Sequence, residues 1–318
     1  MSSSVLHHYL DTYLSVREAL GFQMRAARTL LRDFVGFLET RGDAGPIRAQ
    51  WAIDWACASA TRRGTGSAAQ RLSMARGFLT YLRASLPDTE VPDSGLVASF
   101  RRPTPYLLTP QQITALIQAA QHLGPQGSLR PYTVSTVIGL LASTGLRVGE
   151  AIRLTTTDVH LDEVPPFLHI RETKFHKSRL VPLHPTTALQ LRHYQAMRTA
   201  LRSDALADVF FLSEQGHALT HKVLGACFTQ LCGQVGVRPT ASGRRPSLHA
   251  LRHAFAIARL RQWYQEEADV QALLPRLSVY LGHVRPQESY WYLTATPELF
   301  TAAALRFQQY AAGGGTRL

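Results

Sequence analysis

Between Pro87 and Pro105 the sequence sets four prolines (Pro87, Pro92, Pro103, Pro105) around the pair Arg101-Arg102. No helix or central strand runs through such a stretch, because each proline fixes its own φ and lacks the amide donor that both ladders use. The break divides 318 residues into two parts, each long enough to enclose a core. The expected organisation is a first domain over 1–100, a linker over 101–108 and a second domain over 109–312. A flexible tail over 313–318, opening on Gly313-Gly-Gly315, follows.

The first part reads as helices. Apolar residues recur at spacings of three and four over Val5–Leu20, Arg25–Thr40, Arg48–Ala58 and Ser67–Ser85, punctuated by Gly21, the 42–46 stretch and Gly64-Thr-Gly66. A bundle of four to five helices is expected. The second part opens on Thr109-Pro-Gln-Gln112, where Thr109 can cap a helix, Pro110 suits its first turn and Gln112 can close a capping box. Another helix is expected from Arg130 into Ser143. The clearest β signal is Phe167–Arg171 and Arg179–Leu183, two short strands joined by a polar loop that holds Lys174 and Lys177. The sequence reads as helical again beyond Pro185. The fold class expected is mainly α with a small antiparallel β-sheet, in two domains.

Charge narrows the function. Lys and Arg outnumber Asp and Glu by 34 to 22, giving +12. The excess is +4 over the first 102 residues and +8 over the rest, so both parts are basic. Such a surface suits a polyanion, nucleic acid foremost. Three cysteines (Cys57, Cys227, Cys232) are too few and too scattered for a disulfide framework, which points to a reducing cytoplasm. No run approaches a membrane span, and the first turns carry His7, His8 and Asp11, which argues against a signal peptide. Lysines number three against 31 arginines, so two of them three residues apart in the hairpin loop stand out. Lysine, unlike arginine, can give up its proton near neutral pH when perturbed.

Four stretches of the second part could do chemistry. Ser143-Thr-Gly-Leu-Arg147-Val-Gly-Glu150 sets an arginine at a helix start after a glycine turn, with a glutamate three residues on. Lys174-Phe-His-Lys177-Ser-Arg179-Leu-Val-Pro-Leu183 is the hairpin. His249-Ala-Leu-Arg252-His253 sets His249 and Arg252 on one helical face. Leu281-Gly-His283 precedes Tyr290-Trp-Tyr292, with Tyr292 nine residues after His283. Each alone has an ordinary structural explanation: a salt bridge, core histidines, a helix-to-turn junction, an aromatic cluster. His249 and His253 lack the intervening Glu or a third ligand that a metal site would need, so no metal and no cofactor are expected.

Taken in order, the arginine, hairpin lysine, His-x-x-Arg, Gly-His and tyrosine resemble the catalytic set of the tyrosine recombinase (phage-integrase) family, with the Thr-Pro-Glu-Leu stretch closer to transposon-type members. The resemblance covers about Thr109 to Ala312, and the helical first part is similar to that family's core-binding domain. The segment between Arg252 and His283 is longer than in compact members. The resemblance implies a two-domain clamp around double-stranded DNA at specific recombination sites, working as a homotetramer on two sites in the cytoplasm, on the nucleoid when bound. It also implies a last helix, about Pro297 to Ala312, that is either exchanged between protomers or packed on its own domain.

The residue roles it implies suit the chemistry. Attack on a phosphodiester loads charge onto the non-bridging oxygens, and without a metal that charge needs fixed cationic donors. Arg147 and Arg252 supply forked guanidinium groups, His283 a further donor, and His249 a donor or a base for the tyrosine proton. Tyr292 is the nucleophile, forming a 3′-phosphotyrosine, and Lys174 protonates the leaving 5′-oxygen. Glu150 supports Arg147. The hairpin pattern favours Lys174 over Lys177, and the spacing from His283 favours Tyr292 over Tyr290. The alternatives are a type IB topoisomerase-like nicking–closing enzyme, a relative that binds DNA without catalysis, and a metal-dependent nuclease.

Overall fold

The structure, a computed structural model, describes residues 3–41, 45–58, 65–96, 105–171, 178–202, 208–283 and 287–293, with Ala304 and Gln308. Lys174, Lys177, the tail and the expected last helix, apart from Ala304 and Gln308, lie outside these residues. The chain divides into two compact units, Met1–Pro103 and Thr104–Leu318. Among the described residues it is mainly helical, with one small antiparallel sheet.

In the first unit the helices are α1 (Ser3–Ala19), α2 (Arg25–Thr40), α3 (Ala49–Ala58) and α4 (Thr65–Arg83). Leu6, Leu10 and Leu14 recur every four residues and so form one buried stripe on α1. They pack with Leu31, Phe34, Val35 and Leu38 of α2, Trp55 of α3 and Phe78, Leu79 and Leu82 of α4. Beside this core the Arg71 guanidinium lies 3.7 Å over the Trp55 ring and donates to Asp33 at 3.0 Å, so its charge is paired.

The second unit opens with α5 (Pro110–Ala120). Its capping box is formed: the Gln112 amide donates to Thr109 Oγ1 at 3.2 Å, and the Thr109 amide donates to Gln112 Oε1 at 3.0 Å. Helix α6 (Arg130–Thr144) is the central element, packed against α5, α8 (Pro185–Leu201) and α10 (His249–Gln265). Its buried residues form a wide arc, the Val134, Val137, Ile138 and Leu141 stripe extended on one flank by Thr133, Leu140 and Thr144, as a helix covered by several neighbours requires. Between α6 and α8 come the short α7 (Val148–Ile152) and a sheet of β1 (Val159–His160), β2 (Phe167–Ile170) and β3 (Arg179–Pro182) in that spatial order. Ile170 pairs with Arg179 and Leu168 with Val181, and Leu168, Ile170 and Val181 face the core.

The structure differs from the sequence reading in two places. A third strand, β1, joins the expected hairpin; at two residues it carries no readable period. After α8 the chain is not helical throughout. Residues 208–219 run through isolated bridges, Thr155 with Val209 and Leu212 with Ala218, and bury Phe210, Phe211 and Leu212 in succession. Helices α9 (His221–Gln234), α10, α11 (Val270–Leu281) and α12 (Gln287–Leu293) follow. Tyr106 and Leu108 are buried in the second unit's core, and the Tyr106 hydroxyl donates to the Arg238 carbonyl at 2.8 Å. Among the described residues no helix is long and apolar enough to cross a membrane.

Candidate active site

Arg147 sits where α6 hands over to α7. Helix α6 ends at Gly145, which takes the left-handed conformation (φ 63°). A Cβ there would lie 2.4 Å from a Phe255 ring carbon, so the turn is closed to any other residue without repacking. Two residues later Arg147 is extended and opens α7. Glu150, one turn on, accepts from the Arg147 amide at 3.0 Å and from its Nη1 at 2.9 Å. The spacing of three read from the sequence is thus an ion pair and a helix cap at once.

Glu150 also meets a partner from the sheet. Arg179, the first residue of β3, donates from Nη2 to Glu150 Oε2 at 2.8 Å and from Nη1 to Oε1 at 3.2 Å. Burial would raise the Glu150 carboxyl, but the hydrogen bond and charge of Arg179, with those of Arg147, hold it below its ordinary value. Arg252, on α10, is 2% exposed. Burial first, and then the charge of Arg147, brings it down to about 10, which leaves it protonated at neutral pH; Tyr292 and Glu150 act in the opposite direction.

The three guanidinium groups converge on the end of α11. Arg179 Nε donates to the Tyr280 carbonyl at 2.8 Å, Arg252 Nη2 to the Leu281 carbonyl at 2.7 Å, and Arg147 Nη2 to the Gly282 carbonyl at 2.8 Å. Three successive carbonyls at a helix C-terminus, where intrahelical donors run out, each receive one arginine. Arg252 Nη1 also donates to the Gly145 carbonyl at 2.7 Å, tying the α6–α7 turn to the same place. Gly282 is left-handed (φ 67°), and a Cβ on it would lie 2.6 Å from Arg179 Nη1 and 3.3 Å from Arg147 Nη1.

That turn delivers His283. Its Nδ1 is 2.7 Å from Ser289 Oγ, a hydroxyl on α12 that is fully buried. Tyr292 lies one turn beyond Ser289 on the same helix. Its ring is 6.1 Å from that of His283 at 17°, and 5.6 Å from those of His253 and Trp291. His249 and His253 meet edge to face at 4.5 Å. Tyr292 is 2% exposed and Tyr290 is 50% exposed, so the two tyrosines of the Tyr-Trp-Tyr cluster face opposite environments.

An open hollow of about 510 Å³ borders Arg147 and His249, lined also by His221, Thr229 and Ser247. Among the described residues no cluster of His, Cys, Asp or Glu has the makings of a metal site. The arrangement offers cationic donors in fixed positions, imidazoles beside them and a phenol next to the imidazoles.

Of the residues singled out in the sequence, Arg147, Glu150, His249, Arg252, His283 and Tyr292 fall in one neighbourhood of the second unit. Lys174, with Lys177, is outside the described residues. Between Arg252 and His283, α10 ends, Glu267 takes φ 54° and α11 begins at the Asp269 cap. Sequence reasoning gave no role to Arg179, Ser289, His253 or Trp291. Arg179 stood within the hairpin pattern, but its partner is 29 residues away and not visible in one dimension.

The phage integrase family model matches residues 107–298. Protein y4rB of Sinorhizobium fredii, named as an integrase/recombinase, is 38% identical over 96% of this chain and 98% of its own length. The fold is similar to that of the XerH site-specific recombinase in a post-cleavage complex with its palindromic difH substrate. There the TM-score is 0.68 at 18% identity, over 96% of this chain and 85% of that one. It is similar too to the integrase of transposon Tn1549 in complex with transposon right-end DNA. The TM-score is 0.66 at 17% identity, covering 98% of this chain and 100% of that one.

Proposed function

The chain belongs to the phage integrase family and is a tyrosine recombinase, and from that premise we propose that it cuts and rejoins double-stranded DNA at specific sites with Tyr292 as nucleophile. The Tyr292 oxygen attacks the scissile phosphorus, and its proton passes to His249 or to solvent. The bond to the 5′-oxygen breaks, and that oxygen takes a proton from Lys174. A 3′-phosphotyrosine remains until a 5′-hydroxyl from the partner duplex attacks it and releases the tyrosine. One ester replaces another at each step, so no nucleotide cofactor is needed. Arg147, Arg252 and His283 bear the charge on the non-bridging oxygens, the work a metal does elsewhere.

The observation that supports this reading best is the row of arginines on the end of α11. Fixed donors need no reorganisation when charge develops, and the carbonyls at the α11 end hold Arg147 and Arg252 in place. In the same reading the two basic units close as a clamp on the duplex, and four protomers assemble across two sites.

A nicked suicide duplex carrying candidate element-end DNA tests it, in EDTA. Wild type should leave a covalent protein–DNA band and Tyr292→Phe none. A band that survives the substitution would move the nucleophile to Tyr290 or elsewhere. No band from either protein, on DNA shown to be specifically bound, would favour a relative that binds without cutting.

A further inference from the structure

We propose that Arg179 is a positioning residue of the reaction, one that holds Glu150 and the end of α11 in register with Arg147 without itself touching DNA. The inference rests on the recombinase reading above and deepens it.

All three nitrogens of Arg179 donate inward, Nε to the Tyr280 carbonyl and the two Nη to the Glu150 carboxylate. Its side chain is 11% exposed, while that of Arg147 is 33% exposed. Every nitrogen of Arg179 is held within the fold, its fork by a carboxylate and its stem nitrogen by a helix end, whereas among the described residues Arg147 and Arg252 donate from their two Nη and leave Nε uncommitted. Glu150 in turn holds the Arg147 amide and Nη1, so Arg179 reaches Arg147 through one shared carboxylate. On its other side Arg179 sets the path of the chain into His283, because it packs so close to Gly282 that even a Cβ there would collide with it. β3, α7 and the α11 end therefore meet at this one side chain. Lysine could not replace it, having a single charged centre and no planar fork.

The test measures single-turnover cleavage of the suicide duplex at saturating DNA, together with DNA affinity across a salt series. Arg179→Ala and Arg179→Lys should both slow cleavage, on the order of 100-fold for a displacement near 1 Å at the reacting centre. Affinity and its salt slope should stay as in wild type, since no phosphate contact is lost. Glu150→Gln should slow cleavage too, and adding Arg179→Ala to it should cost less than the product of the two single losses, because part of the Arg179 effect runs through the shared carboxylate to Arg147.

Several results would overturn the assignment. A salt slope lower by about one would make Arg179 a phosphate ligand. Cleavage near the wild-type rate in either variant, or losses that multiply in the double variant, would remove its action through Glu150. Should Arg179→Ala melt at the assay temperature, the Lys variant carries the same measurements. A wild-type protein that leaves no covalent band would instead fail the recombinase reading itself.

Discussion

At the scale of single residues the site is a problem of charge. Arg147 and Arg179 share one carboxylate, whose charge also reaches Arg252, so the ionised form of Glu150 is the one this arrangement favours. Its folded pKa lies below the ordinary 4.5. The stability it contributes is therefore complete above the unfolded value and is lost as pH falls through the folded one. Wild-type Tm should thus drop on acidification below about pH 4.5 more steeply than that of Glu150→Gln, which has nothing to protonate there. At neutral pH the Gln variant should melt lower, having lost the charged partner of two arginines. Calorimetry over a pH series checks this, and parallel curves would refute it. The pair of Arg147 and Glu150 was legible because its partners are three residues apart. The share of Arg179 in the same carboxylate was not, because only the folded sheet brings β3 to α7.

Elements were legible where their ends are written in local chemistry. Thr109-Pro-Gln-Gln112 announced α5, and the box forms with both expected hydrogen bonds. Strand β1 and residues 208–219 were not, since two-residue pairings show no alternation and Phe210-Phe211-Leu212 is apolar on every side. What fixed them is tertiary burial. The α6–α7 turn shows how much of the site an element end decides. Gly145→Ala places a Cβ in a left-handed residue, costing roughly 1–2 kcal/mol, and drives it into the Phe255 ring. Denaturation should show a loss of about 2 kcal/mol or more, the strain plus the repacking. Gly225→Ala in α9 is the contrast: nothing lies within 4 Å of its Cβ, so it should gain about 0.5–1 kcal/mol. Equal midpoints for the two variants would show that the turn is no tighter than an open helix face.

At the scale of the whole molecule the question is whether both units hold DNA. Each has its own core, and each carries a positive excess, +4 over the first 102 residues and +8 over the remainder. A clamp spreads phosphate contacts over both units, and each contact releases counterion, so log affinity falls with log salt by about 0.9 for every phosphate neutralised. The full chain should therefore show a steep slope, on the order of −5 or beyond. Residues 104–318 alone, which keep the second core and every residue of the candidate site, should bind more weakly and with a shallower slope. They should still form the covalent band when the DNA concentration is raised to saturate them, because on the proposed reading the first unit would supply grip and no reacting group. Equal slopes for the two proteins would leave the first unit off the duplex and end the clamp. A shallow slope for both would place recognition in base contacts or DNA shape.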